Sequence, residues 1–275
     1  MAGKTLPAPL ILAVAPNGAR RTKADHPALP ILPDELARAA AGALEAGAAM
    51  IHLHVRSADG GHTLDVGAYR AAIAAIRASV GERLVIQATS EAVGIYDRHQ
   101  QMAMVRELRP EAVSLAIREI VPDAASERDA AEFFAFLARE RVQPQFILYS
   151  DADLARLRDL RHRGIVPFAR PFVLFVLGRY SPGQRSEPAD LLAFLAPFPD
   201  DLHWSVCAFG ARENACALAA AAFGGHARVG FENNLFLADG RIAADNAELI
   251  RQVAAGARML GRPLASADEA RGILA

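Results

Sequence analysis

Short runs of apolar residues alternate along the chain with longer segments in which apolar residues recur every three or four positions. The short runs are apolar on both faces, which is typical of parallel strands buried between helices. Strands are predicted at residues 10–15, 50–55, 84–89, 112–116, 145–149, 172–177, 203–208 and 227–231. Helices are predicted at residues 34–46, 66–79, 97–108, 125–140, 151–163, 188–196, 212–223 and 246–260. About eight strand–helix units in 275 residues predict a (β/α)8 barrel.

Local signals at the helix ends agree with this pattern. Asp34 stands where the first helix should begin, and Asp245 with Glu248 gives the last barrel helix a capping-box-like start. Residues 266–274 predict one further short helix. No linker-like or low-complexity segment interrupts residues 1–275, so we predict a single domain. A doubly wound sheet is the alternative, but the segment after the first strand, APNGAR, lacks the GxGxxG pattern of dinucleotide-binding sheets.

Composition excludes several classes of protein. Hydrophobic residues make up 52% of the chain, which is enough apolar surface to bury a core and excludes general disorder. Lys and Arg number 30 against 31 Asp and Glu, so no basic excess is present to bind nucleic acid or an anionic membrane. The two cysteines, Cys207 and Cys216, exclude a disulfide framework and a thiolate zinc site. No apolar stretch is long enough to span a membrane, and we predict a cytoplasmic protein.

The second predicted strand ends in His52-Leu-His54, a spacing that puts two imidazoles on one face of a strand. At the carboxyl-terminal mouth of a barrel, where active sites lie, two such side chains can chelate one metal ion. Barrel closure brings the eighth strand beside the first, so Glu232 can supply a third ligand. Two histidines and one carboxylate leave positions open for substrate. Zinc suits these ligands, and ferrous iron, manganese and cobalt are alternatives.

Arg228 lies four residues before Glu232 and faces the same way. Such an arginine could bind a carboxylate, stabilise an enolate or form a structural salt bridge. Candidates by position alone, at strand ends, are Asn17, Arg20, Thr89, Ser90, Ser114 and Tyr149. His226 begins the eighth strand at the opposite face and is not predicted as a ligand, and Cys207 is predicted to be a packed thiol. Histidines without partner spacing are predicted to be surface or loop residues: His26, His62, His99, His162 and His203.

Several motifs resemble those of the β-keto acid cleavage enzymes, the family of 3-keto-5-aminohexanoate cleavage enzyme. They include HLHVR, VIQATS, GGHARVGFENN and the closing GRPLASADEARGIL, and the resemblance runs almost end to end. It implies a (β/α)8 barrel that condenses a β-keto acid with acetyl-CoA, releasing acetoacetate and a new acyl-CoA. It also implies a divalent metal, usually zinc, held by His52, His54 and Glu232. Arg228 would act with an acidic partner in deprotonation, Thr89 and Ser114 would help to seat the substrate, and the assembly would be a homo-oligomer, a tetramer.

The chain departs from the family pattern at four positions. Asn233 stands where an Asp usually partners the arginine, so either Glu91 or Glu213 substitutes for it or proton abstraction differs. Glu91 also replaces part of a small glycine pair, and Ala116 replaces a polar Asn. Arg20 aligns with an acidic residue that suits an ammonium-bearing substrate. An arginine there predicts an anionic or polar substrate tail, unless Arg20 faces Glu91 and is neutralised.

Three alternatives to this reaction are open on the sequence alone. The first is a metal hydrolase, although its HxH motif would lie on the first strand and further histidines would follow on later strands. The second is a metal-dependent aldolase that does not use CoA, and the third is a binding barrel that has lost turnover because of Asn233. No CoA-binding motif is present, and the loop arginines Arg179, Arg185 and Arg212 are either CoA contacts or solvated surface residues.

Overall fold

A computed structural model describes residues 8–196 and 202–275, and its centre is a closed barrel of eight parallel strands. The strands are β1 (Leu12–Val14), β2 (Met50–Leu53), β3 (Val85–Thr89), β4 (Ala112–Ala116), β5 (Gln143–Leu148), β6 (Phe172–Leu177), β7 (His203–Ala208) and β8 (His226–Val229). They follow one another round the barrel in chain order, and β8 pairs with β1 to close it. The (β/α)8 prediction is confirmed.

Helices cover the outside of the barrel between successive strands. They are α1 (Pro33–Ala46), α2 (Val66–Val80), α3 (Arg98–Leu108), α4 (Glu127–Glu140), α5 (Asp151–His162), α6 (Leu192–Leu195), α7 (Glu213–Ala222) and α8 (Asn246–Met259). Most begin within two residues of the predicted position. A polar side chain caps the first turn of α2, α3, α5 and α8; Asp97, for example, accepts hydrogen bonds from two backbone N–H groups of α3. The predicted final helix is also present at Ala267–Leu274, capped by Ser266.

Some elements differ from the prediction. The segment predicted as one helix at residues 188–196 is a 3-10 turn, Pro188–Leu191, followed by the single turn of α6. A β-hairpin pairs Val55–Arg56 with His62–Thr63, and a one-turn helix follows β4 at Ile117–Ile120. Neither had been predicted. No helix in the described parts of the chain combines the length and apolar character needed to cross a membrane.

One of the histidine predictions, for His62, is wrong, and those for His203 and His26 are correct only in part. His62 was predicted to be a surface or loop residue, but it lies in the hairpin and is only 8% exposed, since its ring packs near His54. His203 lies in β7 rather than in a loop. His26 is a loop residue but is buried, because its Nε2 is 2.9 Å from the carbonyl oxygen of Ala243.

Strand alternation separates an outer apolar core from the interior of the barrel. Ile51 and Leu53 of β2 are fully buried against the helices, where each contributes about 1.5–3 kcal/mol by leaving water. The intervening residues of the same strand, Met50 and His52, point inward. In β8, Ala227 and Val229 belong to the outer core in the same way. The apolar residues thus fix the register that turns the polar residues of β2 and β8 into the barrel.

Candidate active site

The polar residues at the mouth of the barrel come from neighbouring strands. His52 and His54 lie at the end of β2, and Glu232 follows the end of β8. Only β1 separates these strands, and its inward residue, Ala13, pairs with both Arg228 and Met50. Because alanine is small, the side chains of β2 and β8 can meet across it.

His52, His54 and Glu232 converge on one point, as predicted for a metal site. The Nε2 atoms of His52 and His54 are 3.1 Å apart, and each is 3.4 Å from Oε2 of Glu232. The ligand atoms of all three residues lie within 4.8 Å of one another. Oε2 of Glu232 is buried and has no hydrogen-bond donor among the residues that the structure describes. A buried carboxylate oxygen facing two imidazole nitrogens fits a divalent cation bound between them.

The far side of His52 fixes which nitrogen faces the centre. Its Nδ1 is 2.8 Å from Oε1 of Gln87, the residue directly opposite it in β3. Gln87 in turn donates from Nε2 to Oε1 of Gln145, at 3.1 Å. Because Oε1 of Gln87 only accepts, Nδ1 of His52 carries the hydrogen and Nε2 presents its lone pair to the centre. Burial, and then the charge of Arg228, hold the pKa of His52 well below its usual value, so the ring is neutral.

Arg228 is a buried cation that contacts Glu232. Its Nη2 donates to Oε1 of Glu232 at 2.9 Å, to Sγ of Cys207 at 3.3 Å and to Oδ1 of Asn233 at 3.3 Å. Burial raises the pKa of Glu232, but the charge of Arg228 is the largest opposing cause, and the pKa lies well below its usual value. Burial lowers the pKa of Arg228, yet Cys207 and Glu232 raise it above its ordinary range. Arg228 therefore stays charged.

Glu213 lies behind Asn233 and is 1% exposed. Its Oε1 accepts from the backbone N–H of Gly230 at 3.0 Å and from Nδ2 of Asn233 at 3.2 Å, and its Oε2 accepts from Nδ2 of Asn234 at 3.3 Å. Burial raises the pKa of Glu213 to about 8, against these three donors. Asn233 thus connects a buried carboxyl group to Arg228.

Glu91 reaches the centre from the other side. Its Oε1 accepts from Nη1 of Arg20 at 2.9 Å, and its Oε2 lies 4.0 Å from Nε2 of His54. Of the two arrangements left open for Arg20, the structure shows the one in which Glu91 neutralises it. Asn17 donates from Nδ2 to the carbonyl oxygen of His54 at 3.2 Å, while its buried Oδ1 has no partner in the described parts of the chain.

The predicted hydroxyl residues lie one strand further round. Thr89 and Ser114 are directly opposite each other in β3 and β4, and Oγ of Ser114 donates to Oγ1 of Thr89 at 3.1 Å. Ser90 differs from them, because its hydroxyl donates to the carbonyl oxygen of Ser114 at 3.0 Å. Tyr149 stacks near Arg118, whose guanidinium carbon is 4.6 Å from the ring centre. Of these four residues, Thr89 and Ser114 are the two whose hydroxyls hydrogen-bond to each other.

Sequence reasoning missed three contributors. Gln87 had been seen only as part of a strand end, although its inward position two residues before Thr89 was a signal. His62 donates from Nε2 to the carbonyl oxygen of Glu91 at 2.8 Å and so supports that loop. Gly18, with φ +62°, brings the loop after β1 so close that a Cβ there would lie 2.6 Å from Cγ of Glu232.

More positively than negatively charged side chains line the opening above the centre. Arg20, Arg21 and Arg179 line it together with two carboxylates, Glu91 and Glu232. Arg21 donates to the carbonyl oxygen of Phe231 at 2.6 Å. Arg179 lies over the ring of Phe209, and no carboxylate within residues 8–196 or 202–275 forms an ion pair with it. By contrast, Arg212 pairs with Glu187 at 3.3 Å.

Comparison with known proteins gives a consistent result. Residues 9–275 match the family model for beta-keto acid cleavage enzyme. The chain is 34% identical over 273 residues to the 3-keto-5-aminohexanoate cleavage enzyme of Fusobacterium nucleatum, covering 96% of this chain and 97% of that protein. It is 27% identical over 272 residues to the 3-oxoadipate:acetyl-CoA acetyltransferase of Cupriavidus necator, covering 97% and 94%. The solved ternary complex of ObcA with a C4-CoA adduct and oxalate has the same fold, with a TM-score of 0.70 at 18% identity over 90% of this chain and 67% of that chain.

Proposed function

The chain belongs to the β-keto acid cleavage enzyme family, and from this premise we propose that it condenses a β-keto acid with acetyl-CoA to give acetoacetate and a new acyl-CoA. Membership makes it an acyltransferase that cleaves a carbon–carbon bond. The name of the Cupriavidus relative supports acetyl-CoA as the second substrate. The observation that carries the proposal is the convergence of two imidazoles and one carboxylate beside a buried, charged arginine.

We propose that His52, His54 and Glu232 hold a divalent metal, with zinc as the first choice. When bound, such a metal supplies Lewis-acid polarisation to a ketone and carboxylate. The protein supplies a neutral His52 with its lone pair directed inward, and a Glu232 that is ionised and anchored by Arg228. Both features match what a metal requires of its ligands.

Proton removal from C2 of the β-keto acid is assigned to Glu91. Its Oε1 is held by Arg20, which leaves Oε2 directed toward the centre. Glu213 is less suited to this step because it is completely enclosed. Arg228 is a poor base because it stays charged, but a guanidinium beside the reacting carbons stabilises the enolate that forms. Asn17, through its unpartnered Oδ1, and the Thr89–Ser114 pair seat the substrate.

The remaining bond changes follow from this enolate. Its C2 attacks the carbonyl carbon of the acetyl thioester and expels CoA as a thiolate. The thiolate attacks the former ketone carbon, and cleavage of the bond between that carbon and C2 releases acetoacetate, which takes up a proton. The acyl group stays on CoA, so atoms and charge balance without an oxidant or reductant. Arg179, Arg185 and Arg212 are the proposed contacts of the CoA phosphates.

The substrate tail is proposed to be anionic or polar rather than ammonium-bearing. Although Glu91 neutralises Arg20, two further arginines, Arg21 and Arg179, line the opening. A desolvated guanidinium without a carboxylate favours an anionic group and opposes an ammonium group. We also propose a single-domain cytoplasmic enzyme that assembles as a homo-oligomer, a tetramer by analogy with the family.

The test is acetoacetate release from acetyl-CoA and a panel of β-keto acids with anionic, hydroxylated, aliphatic and ammonium tails. We expect turnover that needs both acetyl-CoA and a divalent metal, is lost in chelator and returns with zinc. His54→Asn should lower metal affinity as measured by chelator competition. Metal-bound protein that stays silent across the panel would overturn the proposal in favour of a hydrolase, an aldolase or a binding barrel.

The preference for the substrate tail is tested by a ratio of kcat/KM values for two substrates rather than by a single rate. Arg20→Gln removes the counter-ion of Glu91 and so adds a negative charge to the opening. It should lower kcat/KM for an anionic tail relative to an aliphatic tail by about tenfold, which corresponds to about 1.4 kcal/mol. Any effect on proton removal by Glu91 is common to both substrates and cancels in the ratio. Arg38→Gln is the matched control, since Arg38 forms a similar ion pair with Asp34 at 2.8 Å on the surface of α1. Exclusive turnover of the ammonium substrate would contradict the tail assignment.

A further inference from the structure

Glu213 is a buried acid that takes no direct part in the proposed reaction. It sits at the first position of α7, facing the turn that follows β8. Three N–H donors point at its two oxygens, from Gly230, Asn233 and Asn234. No cation forms an ion pair with it among the residues described, and Arg21 favours its charged form only from a distance. The hydrogen-bond pattern is that of a carboxylate whose charge is balanced at a distance.

Asn233 is the residue that joins this acid to the centre. Its Nδ2 donates to Oε1 of Glu213 at 3.2 Å and to the carbonyl oxygen of Arg228 at 3.3 Å, and its Oδ1 accepts from Nη2 of Arg228 at 3.3 Å. The opposite orientation of the amide would place its NH2 against a guanidinium donor and its oxygen against two acceptors. Because Glu213 accepts and Arg228 donates, the direction of the amide is fixed.

The side-chain hydrogen bonds of the Arg228 guanidinium are concentrated at one of its nitrogen atoms, Nη2. All three of its side-chain acceptors, on Cys207, Glu232 and Asn233, lie at Nη2. Its Nε is buried and has no partner in the parts of the chain that the structure describes. A donor left free in this way is available to a ligand, and its direction depends on how firmly Nη2 is anchored.

We propose that Glu213 is a positioning residue for Arg228, and that its carboxylate acts on the guanidinium through the amide of Asn233. Glu213 thus acts on Arg228 through Asn233, which hydrogen-bonds to both. This inference rests on the proposed function, in which Arg228 stabilises the enolate. It adds a buried pair, Glu213 and Asn233, to the machinery of that step. A purely structural role for Glu213, in which it only holds the turn at residues 230–234, is the competing explanation.

The experiment moves the carboxylate between positions. Glu213→Gln removes the charge and keeps the shape. Glu213→Gln with Asn233→Asp returns a carboxylate that contacts Arg228 directly. Glu213→Gln with Asn234→Asp returns one at a residue that touches position 213 but has no hydrogen bond with Arg228. The two double variants thus carry the same total charge and differ only in contact with the arginine.

The readouts, taken above pH 8 where Glu213 is ionised, are kcat, KM for the β-keto acid, zinc affinity and exchange of the C2 hydrogen with deuterated solvent. We expect Glu213→Gln to lower kcat and C2 exchange by about 10- to 100-fold. KM and zinc affinity should stay within about twofold, because neither ground-state binding nor the metal ligands change. Asn233→Asp should restore most of the loss, and Asn234→Asp should restore none.

Other outcomes overturn the inference without touching the proposed function. If Glu213→Gln keeps full turnover, or if both double variants recover equally, or if neither does, Glu213 has only a structural role. A loss of zinc affinity together with kcat would point the same way. If the unaltered enzyme releases no acetoacetate from any substrate, the proposed function itself fails, and C2 exchange still reports on Glu213 separately.

Discussion

Gln87 offers a sharp test of the metal site because it touches a proposed ligand without touching the metal position. Gln87→Met removes the acceptor for Nδ1–H of His52 and keeps the length of the side chain. Outer partners of ligating histidines are worth about 10- to 100-fold in metal affinity, or about 1.4–2.7 kcal/mol. The metal-free protein should also lose about 1–3 kcal/mol of stability, since a buried N–H loses its partner.

The assay is zinc affinity by competition with a chelator, together with urea unfolding of the metal-free protein. Gln87→Glu keeps an acceptor for His52 and should retain zinc affinity within a few-fold, about 1 kcal/mol or less. Gln101→Met is the matched control, because Gln101 is equally buried and bonds to Ser90 and Glu119, outside the ligand set. It should lose stability and keep zinc affinity. Unchanged zinc affinity in Gln87→Met would refute the assignment of His52 as an oriented ligand.

Two further predictions concern backbone space and pH. Gly18→Ala should weaken zinc binding by about tenfold, because its Cβ would collide with Glu232. Gly60 also has a positive φ but has open space around it, so Gly60→Ala should cost only backbone strain of about 1–3 kcal/mol. Zinc affinity measured by chelator competition distinguishes the two variants. Burial lowers the pKa of His226 to about 3, and its Nδ1 accepts from the N–H of Ile11 at 3.0 Å. The unfolded chain therefore binds the proton of His226 first as the pH falls. The free energy of unfolding should fall by up to about 1.4 kcal/mol per pH unit from this residue as the pH drops from about 6.5 to 3. His226→Gln should reduce the slope of acid unfolding by that share, to which His62 also contributes, and an unchanged slope would contradict the assignment.

The sequence predicted the barrel and the centre of the site because both follow from short-range periodicity. Alternation along a strand puts His52 and His54 on one face, and closure of an eight-stranded barrel brings Glu232 to them. The contacts that were not predicted cross between elements. Gln87 meets His52 only through the register of two strands, and the pairing of Arg20 with Glu91 joins two loops whose separation no local pattern determines.

The missed hairpin has a different cause. It reverses the chain within residues 57–61, where Gly60 adopts φ +82°. Each of its strands is only two residues long, too short for an alternating pattern to be visible. His62 was assigned to the surface or a loop because it has no partner spacing along the chain, although the hairpin folds it back against Glu91 and His54.

The two departures from the family pattern that remove an acid share one physical feature. Arg20, in place of an acid, is met by Glu91, and Asn233, in place of an acid, is met by Glu213. Each change is thus compensated within hydrogen-bond distance, which argues against a site that has merely decayed. Compensation still leaves the region cationic, with four guanidinium groups against three carboxyl groups, at Arg20, Arg21, Arg179, Arg228 and Glu91, Glu213, Glu232. A divalent metal would add to that excess. A partly buried cationic site attracts anions and repels ammonium groups, which is the physical basis for proposing a substrate with a second negative or polar group on its tail.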